Sequence, residues 1–107
     1  MIKIVLFCAA ENTARLLVQK MEQEAEARDL EIYIKIFLER QIDEQFDEID
    51  LILITPEVAY ILPMVKEIYE PEGIQVDVIS AVDFSIVNGE KVLNFALDLL
   101  EEKEVYC

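Results

Sequence analysis

Four short apolar runs, most followed by a stretch of helical period, predict an α/β fold: a four-stranded parallel sheet, order 2-1-3-4, with helices on both faces in three α/β/α layers. Two observations fix the order. Residues 2–7 and 51–54 are apolar almost throughout, as strands covered on both faces are. Residues 31–37 alternate, with Ile32, Ile34 and Ile36 on one face and Tyr33 and Lys35 on the other, while Asp77 interrupts 75–79; both suit sheet edges. Strands one and three therefore belong inside, and with right-handed crossovers the order becomes 2-1-3-4. The winding reverses between those two strands, where open α/β sheets gather ligands. Their C-terminal ends carry Cys8 and Thr55.

In chain order, the first helix is expected from Asn12 or Thr13, either able to cap it, to Arg28. Ala14, Leu17, Val18, Met21 and Ala25 form its apolar face, and the glutamates from 22 onward its wet one. Leu38, Ile42 and Phe46 suggest a short acidic helix after strand two. After strand three, Thr55 as cap, Pro56 in the first turn and Glu57 near the dipole open another helix. Val58, Ile61, Leu62, Val65 and Ile68 supply its apolar face, and Pro63 should kink it or reset its start. Residues 70–73 turn into strand four, and 80–88 form a loop with room for one helical turn. The last helix starts at Asn88 as cap, buries Val92, Leu93, Ala96 and Leu100, and ends near Glu102, leaving a frayed tail from Lys103 to Cys107.

The chain of 107 residues suits one domain, 1–107, and its 54% hydrophobic content suffices for a core. A formal charge of −14 opposes binding to nucleic acid or an anionic membrane, and a charge-steered partner should present a basic face. No apolar run is long enough to span a bilayer, and the N-terminus does not resemble a signal peptide. The expectation is a cytoplasmic, monomeric protein without direct membrane insertion. The absence of histidine removes imidazole catalysis and most zinc sites. Cys8 and Cys107 are expected to be free thiols, with Cys107 a terminal residue prone to adventitious intermolecular disulfides. No cofactor or metal is expected; a metal on Glu11, Glu57 and Asp83 ranks low without histidine.

Cys8 is the candidate nucleophile. Amides of the following turn and a helix N-terminus would make an anion site and lower its pKa, giving an accessible, reactive thiolate that accepts a phosphoryl group. The competing reading is a small buried hydrophobe ending a strand.

Phe7-Cys8, then Leu16-Leu17-Val18, then Pro56-Glu57-Val58-Ala59-Tyr60-Ile61-Leu62-Pro63, then Val76-Asp77-Val78-Ile79, then Asn88-Gly89-Glu90-Lys91-Val92-Leu93, resemble the IIB component of the bacterial sugar phosphotransferase system, lactose/cellobiose (chitobiose) branch. The similarity runs over essentially the whole chain. It implies a flavodoxin-like or low-molecular-weight-phosphatase-like sheet. It further implies that Cys8 takes phosphoryl from a histidine of the IIA protein. Cys8 would then pass it to a cellobiose-, chitobiose- or lactose-type sugar at the membrane-bound IIC permease. On this resemblance Ala9, Ala10, Glu11, Asn12, Thr13, Ala14 and Arg15 wrap the phosphate, and Thr55, Pro56, Glu57, Tyr60, Ser80, Asp83 and Phe84 stand near the site or a partner.

Several positions depart from the family pattern. Glu11 stands where the family has glycine, Thr55-Pro56-Glu57 replaces Gly-Pro-Gln, Ser80 replaces an aspartate, and Phe84-Ser85 replaces Tyr-Gly. Glycine lets backbone approach an anion, whereas a carboxylate repels it. Arg15 would offset Glu11 only by turning inward, and both acids also suit helix starts. The alternatives are therefore a diverged or designed relative with weak or lost transfer, or a binding domain on the same scaffold. A further alternative is a cysteine-dependent phosphatase or arsenate reductase, resembled by Cys8 to Arg15. That loop has one residue too many between cysteine and arginine, and Leu16 stands where those enzymes have serine.

Overall fold

The computed structural model describes residues 1–41 and 48–105, with side chains as far as 101. Four strands, β1 (Ile2–Cys8), β2 (Ile32–Leu38), β3 (Leu51–Ile54) and β4 (Gln75–Val78), form one sheet in the order β2-β1-β3-β4. Every pairing is parallel, with Cys8 opposite Leu38 and Phe7 opposite Ile54. The expected order and inner strands are those observed: Ile4 to Cys8 and Leu51 to Ile54 are all buried, while Tyr33 and Lys35 of the outer β2 are exposed.

Alternation along the strands divides the core. Ile4, Leu6 and Cys8, with Leu51 and Leu53, meet Ala14, Leu17, Val18 and Met21 of α1 (Glu11–Ala27) and Val92 and Ala96 of α4 (Gly89–Val105). Val5, Phe7, Ile52 and Ile54 meet Val58, Ile61, Val65 and Tyr69 on the opposite face, under α2 (Leu62–Tyr69). Helices flank both faces because the chain winds one way from β1 to β2 and the other way from β3 to β4.

Several boundaries differ from expectation. Helix α1 begins at Glu11 with Ala10 in the extended cap position and no side-chain cap, so Asn12 and Thr13 lie inside the first turn. It ends at Ala27 through Asp29 at φ 57°, with Asp29 N–H donating to the Glu26 carbonyl and Leu30 N–H to that of Ala25. This is the Schellman arrangement, and it stops the helix without glycine. After β2 only a 3₁₀ turn, Glu39–Gln41, is seen, while residues 42–47 of the expected acidic helix lie outside the described residues.

The segment after β3 is a 3₁₀ helix, Pro56–Ile61, and Pro63 stands in the first turn of α2, so proline resets the helix start. The buried face runs through Val58, Ile61, Val65 and Tyr69, so Tyr69 and not the expected Ile68 completes it. The expected turn at 70–73 is a 3₁₀ turn, Glu70–Glu72, closed by Gly73 at φ 84°. Strand β4 ends at Val78, one residue early, although Ile79 N–H still reaches the Ile54 carbonyl at 2.8 Å. The loop after it holds α3 (Ala81–Ser85), longer than one turn. Asn88 caps α4 as expected, its Oδ1 accepting from Lys91 N–H at 3.1 Å. Helix α4 runs on to Val105, so 103–105 are helical rather than frayed, and Tyr106 and Cys107 lie outside the described residues.

Candidate functional site

The site is built where β1 and β3 end. Cys8 is the last residue of β1, and only Ala9 and Ala10, both exposed, separate it from α1. Glu11, Asn12, Thr13, Ala14 and Arg15 are helical, so the expected seven-residue phosphate loop is two loop residues and a first helical turn. Ala14 is buried in the core and cannot face a ligand.

The Cys8 side chain belongs to the core between the sheet and α1/α4 and is 0% exposed. Its thiol donates to the Phe37 carbonyl of β2 at 3.6 Å, a partner set by the pairing of Cys8 with Leu38. Burial first, then the charges of Glu11 and Glu57, together push the thiol up to about 11, against an opposing hydrogen bond from the Ala10 amide. This overturns the expectation of an accessible, low-pKa thiol. The physical reason is that apolar packing withholds water from the sulfur and both nearby side-chain charges are negative. One element of the expected anion site is present, since the Ala10 N–H faces the sulfur.

Arg15 does not turn toward Cys8. Its guanidinium pairs with Glu11 at 3.4 Å, one helical turn away, with both side chains largely in solvent. Thr55 is brought beside Cys8: its N–H donates to the Phe7 carbonyl at 3.0 Å, continuing the β1–β3 ladder by one residue. It occupies the cap position before Pro56, but its hydroxyl caps nothing. That hydroxyl is fully buried and has no hydrogen-bond partner among the described residues. Such a group costs about 1–3 kcal/mol.

Glu57 follows on the exposed side of the 3₁₀ helix, and Tyr60 is 71% exposed nearby in sequence, free of the core. Ser80, Asp83 and Phe84 follow β4, which β3 separates from β1 in the sheet. Ser80 is exposed, Asp83 is half-buried, and Phe84 packs into the core. Among the described residues no three acids or cysteines lie close enough to hold a metal ion, so Glu11, Glu57 and Asp83 do not form one site. The Phe37 carbonyl is absent from the sequence-derived site; the alternation of residues 31–37 beside strand one was the available signal, since it places that edge strand against Cys8.

A family model described as "PTS system, Lactose/Cellobiose specific IIB subunit" matches residues 3–95. The chain belongs to this family. Among its relatives are the galactose-specific EIIB component of Lactococcus lactis subsp. cremoris (strain MG1363) and the cellobiose-specific EIIB component of Lactococcus lactis subsp. lactis (strain IL1403). Each is 34% identical over 104 residues, covering 91% of this chain and 94% of the relative. The solution structure of the cellobiose-specific IIB component from Borrelia burgdorferi superposes with a TM-score of 0.76 at 30% identity, covering 95% of this chain and 94% of that one. The lactose-specific IIB domain from Streptococcus pneumoniae, at 21% identity and a TM-score of 0.77 over 91% of this chain and 95% of that one, shares the fold. This protein is thus a sugar-specific IIB component of the phosphotransferase system by family, and no helix among its described residues is long and apolar enough to cross a membrane.

Proposed function

We propose that this IIB protein is a phosphocarrier in which Cys8 accepts phosphoryl from a IIA protein and delivers it to a sugar held by a IIC permease. The supporting observation is the placement of Cys8: it ends an inner strand at the winding reversal, one residue before the exposed Ala9–Ala10 turn, with the Ala10 amide at its sulfur. A sugar of cellobiose, chitobiose or lactose type follows from the family, not from any residue here.

The chemistry must begin from a protonated thiol. A pKa of about 11 leaves roughly one molecule in ten thousand as thiolate at pH 7. The S–P bond forms as the N–P bond of a phosphohistidine breaks, and the thiol proton passes to the imidazole nitrogen that leaves. Covering the site with a partner expels water, and a basic partner face would counter Glu11 and Glu57. The Ala9–Ala10 turn must open to admit a phosphoryl group, because the sulfur is fully covered at rest.

A second reading is favoured by the same two acids and the raised thiol: the family scaffold with phosphotransfer slowed or lost. The phosphatase-like alternative draws no support from Arg15, which pairs with Glu11 rather than with the sulfur site. Incubation with a phosphorylated IIA protein, read by intact mass, separates the two main readings. A phosphate-sized gain that disappears in Cys8→Ser supports the carrier; no gain in a folded protein supports the silent scaffold.

A further inference from the structure

The buried hydroxyl of Thr55 serves no structural purpose visible among the described residues. It accepts and donates no hydrogen bond there, and it does not cap the 3₁₀ helix that follows. Threonine is nonetheless fully buried at this point, where valine would fill the same volume without an unpaired polar atom. The backbone ladder fixes its neighbour. Thr55 N–H bonds the Phe7 carbonyl, which sets Thr55 opposite Cys8, and opposite residues of a parallel pair share one face. Ile4, Leu6 and Cys8, with Leu51 and Leu53, lie on the α1/α4 face, and Thr55 continues that alternation.

We infer that Thr55 is a positioning residue of the Cys8 site, its hydroxyl donating a hydrogen bond to the anionic forms of the Cys8 side chain: the thiolate, and then the phosphothiol. The thiolate part stands on this geometry alone; the phosphothiol part rests on the carrier reading above. A neutral thiol has its proton on the Phe37 carbonyl and makes little demand on a second donor. A charged sulfur demands one, in a site whose nearest charges, Glu11 and Glu57, are both negative. The family pattern resembled here has glycine at this position, which offers no hydroxyl.

The test uses Thr55→Val and Thr55→Ser in the full chain. Alkylation of Cys8 by iodoacetamide, followed from pH 7 to 10 in a Cys107→Ser background, reports the thiolate. Thr55→Val is expected to slow the reaction about tenfold at each pH, and Thr55→Ser to keep it within about twofold of the parent. The melting temperature of Thr55→Val at pH 7 should equal or exceed the parent's. In a mixture with phosphorylated IIA, the phosphate held by Thr55→Val should fall about tenfold relative to the parent. An unchanged alkylation rate in Thr55→Val, or a lowered melting temperature, overturns the inference; if the parent still takes up phosphate, the carrier reading survives that result. Slowed alkylation in a chain whose parent takes up no phosphate supports the thiolate contact and removes the carrier reading.

Discussion

At the scale of single residues, the chemistry turns on the charge that Cys8 is allowed to carry. Its thiol holds its proton more tightly in the folded chain than a free cysteine does. A group with a raised folded pKa contributes stability in full below its unfolded pKa, and that contribution is lost as pH rises through the folded value. The window therefore runs from about pH 9 to about 11. Urea unfolding at pH 8 and pH 11 should show the parent losing about 2 kcal/mol more than Cys8→Ser across that window. Equal losses would mean that the thiol ionises without hindrance. The neighbouring carboxylates make a separate prediction. Glu11→Gln keeps the side chain's shape and removes its charge, so alkylation of Cys8 at pH 8 should accelerate about fivefold, equivalent to about 1 kcal/mol. Glu57→Gln should act in the same direction and less, following the order in which the two acids raise the thiol.

At the scale of elements, two glycines carry different constraints. Gly73 closes a 3₁₀ turn at φ 84° with nothing within 4 Å of a Cβ placed there, so Gly73→Ala should cost only the left-handed backbone strain, about 1 kcal/mol. Gly89 opens α4 against α1, and a Cβ there would lie 2.6 Å from the Lys20 carbonyl carbon. Backbone cannot yield as a side-chain tip can, so Gly89→Ala should cost about 2–3 kcal/mol by forcing the two helices apart. Denaturant midpoints of the two variants check both values; a Gly73 variant less stable than the Gly89 variant would contradict this view of the α1–α4 contact. The end of α3 carries a further strain. Val87 takes φ 53° in the Schellman turn that joins α3 to α4, a position that favours glycine or asparagine. Its side chain packs against the α1/α4 core, which offsets that strain.

At the scale of the whole molecule, the architecture was legible because burial writes itself into strands. Runs such as Leu51-Ile52-Leu53-Ile54 can only be covered on both faces, and that property alone assigns inner and outer positions. Pro63 announced its own effect, since proline has few ways to sit in a helix. Caps were less legible. Asn12 and Thr13 have capping side chains, but the short distance from Cys8 to the buried Ala14 and Leu17 pulls the helix start forward to Glu11. The site was legible in its position and not in its chemical state. Sequence locates Cys8 at the winding reversal, whereas the state of its thiol depends on how completely the α1/α4 core covers it and on the Phe37 carbonyl that accepts its proton. That closure is a property of packing between segments distant in the chain, which no local pattern displays.

The most direct measurement is the location of phosphate after exposure to a phosphorylated IIA protein. Tryptic cleavage at Lys3 and Arg15 isolates Cys8 on one peptide, residues 4–15. A carrier built as described here puts the phosphate on that peptide, and Cys8→Ser leaves the peptide without it. Phosphate found on any other peptide, or none on this one while the donor remains charged, would contradict the assignment of Cys8 as the phosphoryl acceptor.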